Sequence, residues 1–136
     1  MIIDATNLIL GRMASYAAKQ ALLGESVDIV NAEKAVLTGA KVHTLALYKQ
    51  RSNRGTPTTG PFVHRTPKGI VKKAIRGMLP YKKSHGKEAL DRIKIHKGVP
   101  EGMQDKKAET LEMFNLKKLK KLKYISVSEV CQYLGK

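Results

Sequence analysis

Residues 1–31, MIIDATNLILGRMASYAAKQALLGESVDIVN, decide the fold of this chain. Short apolar runs at Met1–Ala5 and Ser26–Asn31 are typical of buried parallel strands. Gly24 stands where a glycine commonly follows the end of a helix. Between the runs, one apolar face repeats at helical spacing, and its members are Leu10, Met13, Ala14, Ala17, Ala18 and Ala21. This stretch predicts a β-α-β unit with parallel strands and a right-handed crossover.

Two more helices are predicted in the middle of the chain. The first runs from about Ala40 to Gln50, and its inward residues are expected to be Val42, Leu45 and Ala46. The second begins at Thr66-Pro67, a capping hydroxyl followed by a proline at the first helical position, and ends before Pro80. Its apolar face is Ile70, Val71, Ala74, Ile75 and Met78, and its other face is Lys68, Lys72, Lys73 and Arg76.

The last part of the chain predicts a strand and a final helix. Residues 81–87 are expected to form a basic loop and residues 88–91 a short helical turn, whereas 93–96 alternate like a third strand. Residues 98–115 show no assignable pattern. Ser126 and Glu129 form a capping box, and the apolar positions after it are Val127, Val130, Cys131 and Leu134. We expect a single α/β domain over residues 1–136, with a small, mainly parallel sheet flanked by helices.

The charge of the chain is unevenly distributed. The 136 residues carry a formal net charge of +15. Residues 1–50 hold five basic and four acidic residues, whereas residues 51–136 hold 21 and seven. No acid occurs between Glu33 and Glu88, an interval with 13 Lys and Arg residues. Because an ordinary solvated surface mixes the two signs, this interval predicts a polyanionic partner.

Residues 51–65, RSNRGTPTTGPFVHR, are expected to form a basic loop that is mobile until it binds. Arginines in such a loop can follow an irregular phosphate backbone, and Phe62, His64 and Tyr81 can stack on unpaired bases. The sequence has no helix-turn-helix or zinc-finger signature, so folded RNA is favoured over the DNA major groove. The alternative is a surface that is basic only for solubility.

Enzymatic and membrane functions are weakly supported. Cys131, the single cysteine, is expected to be a buried hydrophobic residue rather than a nucleophile. The four histidines lack the spacing of a helical zinc site, and residues 4–12 and 37–41 lack the glycine pattern of nucleotide-binding loops. We expect no catalysis, cofactor or metal. The N-terminus is unlike a signal peptide, and the tract 116–123, LKKLKKLK, has little apolar face, so we expect a soluble, intracellular protein.

Several phrases occur together in a specific order. They are Asp4-Ala5, Leu10-Gly11-Arg12-Met13-Ala14-Ser15, Val30-Asn31-Ala32-Glu33-Lys34, Thr38-Gly39 with Lys41, Ile75-Arg76-Gly77-Met78-Leu79-Pro80, Gly86-Lys87, and then Ile93, Ile95 and Gly98. In order and spacing they resemble the universal large-subunit ribosomal protein L13 family over about residues 1–98. Tyr124–Gly135 resembles its archaeal and eukaryotic branch. His96 departs from the family signature, which has a large apolar or aromatic residue there.

The resemblance implies a three-layer α/β/α domain around a four-stranded parallel sheet. It also implies a non-catalytic structural component of the large ribosomal subunit, which binds ribosomal RNA early in assembly. The implied partners are that RNA and neighbouring ribosomal proteins in the cytoplasm, with no membrane, no small-molecule substrate and a monomeric state outside the ribosome. The alternative is a free regulatory protein that binds messenger RNA.

The expected RNA-binding residues are basic and aromatic side chains on the first helix, the acid-free interval and the tract 116–123. They are Arg12, Lys41, Lys49, Arg51, Arg54, His64, Arg65, Lys68, Lys72, Lys73, Arg76, Tyr81, Lys82, Lys83, His85, Lys87, Lys117, Lys118, Lys120 and Lys121. Within the family signature, we interpret Gly77 and Pro80 as a tight helix exit, anchored by Met78 and Leu79.

Overall fold

The computed structural model describes residues 1–105 and 107–135 and confirms the predicted β-α-β unit. Strand β1 is Ile2–Asp4, helix α1 is Leu10–Leu22, and strand β2 is Val27–Val30. The two strands pair in parallel. The six residues predicted for the inner face of α1 are all buried, and Gly24 follows the helix end with a φ of +101°.

The remaining elements of the described ranges follow in chain order. They are β3 (Val36–Thr38), α2 (Lys41–Ser52), α3 (Pro67–Met78), α4 (Ser84–Asp91), β4 (Ile93–Ile95), β5 (Tyr124–Ser126) and α5 (Val127–Tyr133). Short 3₁₀ turns occupy Ala32–Lys34, Glu101–Met103, Glu112–Phe114 and Leu116–Lys118. In these ranges, none of the helices has the length and apolar character needed to cross a bilayer.

The parallel sheet has three strands in the described residues, in the order β1-β2-β4. The expected count of four strands is therefore wrong. Beyond β1, the backbone of Glu109 forms an isolated bridge with the strand. The Glu109 carbonyl accepts a hydrogen bond from the Asp4 amide at 3.1 Å, and the Glu109 amide donates one to the Ile2 carbonyl at 2.8 Å. The sequence around Glu109 is mainly polar and does not favour a longer buried strand. Strands β3 and β5 form a separate antiparallel pair.

The two faces of the sheet are unequally covered. One face presents buried residues to the helices; they are Ile3, Val27, Ile29, Ile93 and Ile95. They share one core with the inner face of α1 and with α3, and the alanines of α1 allow that helix to lie close to its neighbours. The opposite face is mixed: it carries the buried Val30, and His96 Nε2 lies 3.1 Å from Asp28 Oδ1 with both side chains half-buried.

The start and end of α3 follow from local chemistry, as predicted. Thr66 Oγ1 accepts a hydrogen bond from the Gly69 amide at 3.3 Å, and Pro67 occupies the first turn. Leu79 is extended, as a residue before proline prefers, so the helix ends there. The helix runs through Gly77 without a positive φ, so the exit comes from Leu79 and Pro80 and not from the glycine.

The C-terminal helix α5 also begins and packs as predicted. Ser126 Oγ accepts from the Glu129 amide at 3.2 Å, which confirms the helix start. The predicted apolar positions Val127, Val130, Cys131 and Leu134 are all buried.

Three side-chain orientations differ from the predictions. In α2, Val42 is 82% exposed and Ala46 is also exposed, whereas Leu45 and Tyr48 pack against the core. The helix touches the body along one narrow stripe beside α5 and β5, and that stripe is shifted from the predicted one. Met78 is 42% exposed because it lies in the last turn of α3, at the edge of the core.

The segment predicted as a basic loop over 81–87 is partly helical. Helix α4 begins at Ser84, so His85 and Lys87 lie in its first turn. Gly86 and Ala89 are the buried residues of α4. Gly86 packs against Pro80, and this tertiary contact favours helix in a sequence whose glycine and lysines predict a loop.

Candidate nucleic-acid interface

Helix α3 presents a row of cations opposite its buried face. Its buried residues, Ile70, Val71 and Ile75, fix the helix on the core. The other face has Lys68, Lys73 and Arg76 exposed and Lys72 half-buried. Within residues 1–105 and 107–135, none of these cations lies within salt-bridge distance of a carboxylate. Their charge is therefore available to an external anion.

The turn after α3 extends this row. The guanidinium carbon of Arg76 lies 4.2 Å from the centroid of the Tyr81 ring, a cation–π contact that holds the two side chains together. The turn is closed by a hydrogen bond from the Lys83 amide to the Pro80 carbonyl at 2.9 Å. Lys82 and Lys83 are exposed in it, and the exposed His85 and Lys87 follow on α4. Charged and aromatic groups thus continue around the end of the helix.

The loop 53–66 is organised by its own backbone. The amide of Thr56 donates to the Gly60 carbonyl at 3.2 Å, and the Gly60 amide donates back at 2.9 Å. Gly60 has a φ of +84°, which favours glycine. Beyond this small hairpin, Phe62 is 74% exposed. A cavity of ≈ 390 Å³ within the loop is lined by Arg54, Phe62 and Arg65 among others. That this loop orders on binding stays a prediction.

His64 lies directly against helix α3. A Cβ added to Gly69 would stand 2.8 Å from His64 Cβ and 3.0 Å from its ring. Only glycine at position 69 therefore lets the imidazole lie against the helix. This role of Gly69 was not predicted from the sequence. Its one signal was a glycine in the first turn of a helix, where its low helix propensity calls for an explanation.

Adjoining cavities connect the loop with the helices. One, of ≈ 310 Å³, lies between α2 and α3, with Arg51, His64 and Lys73 on its walls. A second, of ≈ 450 Å³, is named here the α3–α4 groove, and it is lined by Phe62, His64, Lys72, Lys73, Arg76 and Leu90. The two share His64 and Lys73, and the groove shares Phe62 with the loop cavity.

These shared walls make one continuous patch, which we call the cationic surface. Its members are Arg51, Arg54, Phe62, His64, Arg65, Lys72, Lys73, Arg76 and Tyr81. Tyr48 lies beneath Arg51, whose guanidinium carbon is 5.9 Å from the ring centroid. Burial raises the pKa of Tyr48 above its usual value, although Arg51 partly opposes that shift. The phenol therefore stays neutral and adds no negative charge to the surface.

Several predicted residues lie outside the cationic surface as defined. Arg12 is exposed on α1, Lys49 is exposed near the end of α2, and Lys68 is exposed at the start of α3. Lys41 forms an ion pair with Glu129 of α5. Hydrogen bonds from Lys41 and Ser126 hold the pKa of Glu129 below its usual value. Part of the charge of Lys41 is therefore already neutralised within the chain.

The basic tract 116–123 forms a separate cationic segment. The Leu116 amide donates to the Asn7 carbonyl at 2.9 Å, and the Gly39 amide donates to the Lys123 carbonyl at 2.9 Å. Leu116 and Leu119 are half-buried, whereas Leu122 is exposed. The four predicted lysines are all exposed, and they are Lys117, Lys118, Lys120 and Lys121.

A further cavity, of ≈ 450 Å³, lies between the start of α3 and α5. It brings Lys68 together with Lys97, a residue absent from the predicted set, which lies in neither the acid-free interval nor the tract 116–123. Cys131 is in the wall of this cavity but only 3% exposed. Burial raises the pKa of its thiol above the usual value, against a smaller opposing effect of Lys97. Cys131 is the buried hydrophobic residue predicted.

The described residues contain no group of His, Cys, Asp and Glu side chains suited to hold a metal ion. They also contain no fully buried polar or charged side chain. The chemistry that the chain does bring together is an array of exposed cations, neutral donors and aromatic rings. Such an array binds a polyanion with bases as well as phosphates.

Comparison with known proteins gives consistent matches. A family model described as Ribosomal protein L13 matches residues 1–102, which include the whole cationic surface. The Large ribosomal subunit protein uL13 of Methanococcoides burtonii is 44% identical over 134 residues, covering 98% of this chain and 96% of that protein. The protein of the same name from Archaeoglobus fulgidus is 44% identical over 135 residues, covering 98% and 86%. That of Haloarcula marismortui is 40% identical over 135 residues, covering 99% and 90%.

Proposed function

The chain belongs to the ribosomal protein L13 family, and on that premise we propose that it is a structural constituent of the large ribosomal subunit. It binds ribosomal RNA through the cationic surface and supports early assembly of the subunit. Its partners are that RNA and neighbouring subunit proteins, in the cytoplasm. It acts as one domain, monomeric outside the ribosome, without a membrane, a small-molecule substrate, a cofactor or a catalytic step.

The observation that supports this proposal best is the continuity of the cationic surface. The cations of α3 have no carboxylate partner among the described residues, and adjoining cavities join them to the loop 53–66. Ribosomal RNA is a folded polyanion, recognised largely through shape, phosphates and unstacked bases. A curved surface of helix, loop and turn matches such a contour better than a flat one.

The remaining expected RNA-binding residues provide a second set of contacts. The exposed lysines of the tract 116–123, together with Arg12 and Lys49, extend the positive charge beyond the cationic surface. The tract lies outside the matched family model but inside the stretch shared with the archaeal relatives. We assign it a supporting role, because its backbone is held on the body at both ends.

Co-sedimentation with ribosomal particles tests the proposed function. Extract from cells producing the tagged full-length chain is separated on a sucrose gradient, and nearly all of the chain is expected with large subunits. Depletion of the chain should cause incomplete large-subunit particles to accumulate. A substantial ribosome-free pool bound to messenger RNA would instead support the regulatory alternative, and it would contradict a purely structural role.

A further inference from the structure

The α3–α4 groove differs in chemistry from the rest of the cationic surface. One wall is formed by Lys72, Lys73 and Arg76 of α3, and the facing loop supplies the rings of Phe62 and His64. Leu90 of α4 adds an apolar contact. Its volume of ≈ 450 Å³ lies within the range of about 300–1,000 Å³ usual for small-molecule pockets.

Contacts within the chain set where the groups around this groove lie. His64 lies against Gly69 on α3. The Arg76 guanidinium is stacked on Tyr81 at 4.2 Å. Phe62 lies beside Gly60, since a Cβ added to Gly60 would stand 3.2 Å from the Phe62 ring. The Arg76–Tyr81 pair lies outside the loop 53–66, and a pair already in contact loses little conformational freedom on binding.

The exposure of Phe62 in this setting points to a ligand with a flat apolar face. The ring is 74% exposed although it stands beside three cations. A phosphate alone would use the cations and leave the ring in water. A nucleotide uses both, because its base stacks on an aromatic ring while its phosphate meets the cations.

We propose that the α3–α4 groove binds one unstacked nucleotide of RNA. Its base lies against Phe62 and His64, and its phosphate lies at Lys72, Lys73 and Arg76. This subsite rests on the proposed RNA-binding function and assigns one of its contacts to a single place. An acidic protein segment is a less good match, since it would satisfy the cations and leave the rings without a stacking partner.

Binding of short RNA strands to the full-length chain tests the subsite. The probes are a ten-residue oligouridylate and a strand of the same length with ribose and phosphate but no bases. Stacking on an aromatic side chain is worth about 5- to 150-fold in affinity per base. We therefore expect the chain to prefer the oligouridylate by about that factor.

Variants of Phe62 locate that preference in the groove. Phe62→Ala is expected to abolish it, whereas Phe62→Tyr retains the ring and the preference. Met113→Ala is the matched control, because Met113 is 73% exposed and is not among the residues that line the groove. Gly69→Ala is expected to weaken the preference, since its Cβ displaces His64. Gly102→Ala, where an added Cβ meets nothing within 4 Å, leaves it unchanged.

Two results would overturn the subsite. One is equal affinity for the two strands, or a preference that survives in Phe62→Ala. The other is displacement of the oligouridylate by an oligo-aspartate of equal charge at equal concentration, which would make the groove a site for an acidic protein. In either case, continued co-sedimentation of Phe62→Ala with large subunits would show that the proposed function stands without this subsite.

Discussion

There is no room for a side chain between Gly86 and Pro80. A Cβ at Gly86 would overlap the carbonyl carbon and oxygen of Pro80. Gly86 is buried in α4, and Pro80 begins the turn that carries Tyr81, Lys82 and Lys83. The glycine therefore lets α4 close against the end of α3, and this contact sets the position of a basic turn next to the cationic surface.

Gly86→Ala is expected to destabilise the protein, because the new methyl group forces the backbone of the turn to move. Overpacking of this kind costs roughly 1–3 kcal/mol. Urea unfolding of the variant beside Gly102→Ala checks the prediction, since Gly102 has open space around it. Equal stability of the two variants would show that the turn adapts and that the contact is unimportant.

Lys72→Ala and Lys73→Ala are expected to weaken RNA binding with little loss of stability. Lys73 is exposed, Lys72 is half-buried, and neither has a carboxylate partner among the described residues. Surface changes of this kind usually alter stability by less than about 0.5 kcal/mol. Thermal melting of both variants is the measurement. A sharp fall in melting temperature would mean that this face of α3 is needed for folding.

The segment 51–65, whose first two residues belong to the end of α2 and not to the predicted loop, is expected to be cut by trypsin in the free protein and protected when RNA is bound. Arg54 and Arg65 are exposed cleavage sites in the loop 53–66, and a loop with few apolar contacts opens at low free-energy cost. Mass spectrometry of the fragments with and without a large-subunit RNA transcript gives the comparison. Equal cleavage rates in both states would reject ordering of the loop on binding.

Asp4 makes stability depend on pH. Burial alone would raise its pKa, but hydrogen bonds from Asn31 and Thr6 outweigh burial and hold the pKa below its usual value. The carboxylate Oδ1 accepts from Asn31 Nδ2 at 3.0 Å and from Thr6 Oγ1 at 2.7 Å. Since the folded-state pKa is lowered, the stabilisation is complete well above the unfolded value of about 3.9 and is lost as pH falls through the folded-state pKa.

Asp4→Asn is therefore expected to be less stable than the parent at pH 7, by roughly 1–3 kcal/mol for the disrupted charged hydrogen bonds. The difference should be smaller at pH 3, because below the unfolded-state pKa of about 3.9 proton uptake favours the unfolded state of the parent. Urea unfolding of both proteins at the two pH values measures it. A difference that stays constant between them would show that the charge of Asp4 is not what stabilises this corner.

The features that the sequence predicted are those with a local cause. The β-α-β unit, the two faces of α3 and the start of α5 each follow from spacing within a few turns or from one capping residue. The antiparallel pairing of β3 with β5 was not predictable, because it joins two three-residue strands from distant parts of the chain. The start of α4 depends on Gly86 meeting Pro80, a tertiary contact with no periodic signature.

In the candidate interface, too, the features with a local cause were predicted and the tertiary contacts were not. Composition alone indicated a basic surface for RNA, and the spacing in α3 indicated which lysines share a face. The sequence did not show that Lys41 forms an ion pair with Glu129. It also did not show that Gly69 leaves room for His64 to pack against α3. Both depend on segments that meet only in the folded chain, so they required the structure.

The salt dependence of binding to large-subunit RNA tests the central claim most directly. Two double variants remove the same charge from different places: Lys72→Ala/Lys73→Ala in the cationic surface, and Lys19→Ala/Lys94→Ala at exposed positions on α1 and β4. If the chain neutralises about eight phosphates, log K against log salt falls with a slope near −6 to −7. The Lys72→Ala/Lys73→Ala variant should make this slope less negative by about 1.5. The Lys19→Ala/Lys94→Ala variant should leave the slope unchanged. A parent slope shallower than about −2, or equal flattening by both variants, would contradict binding through the cationic surface.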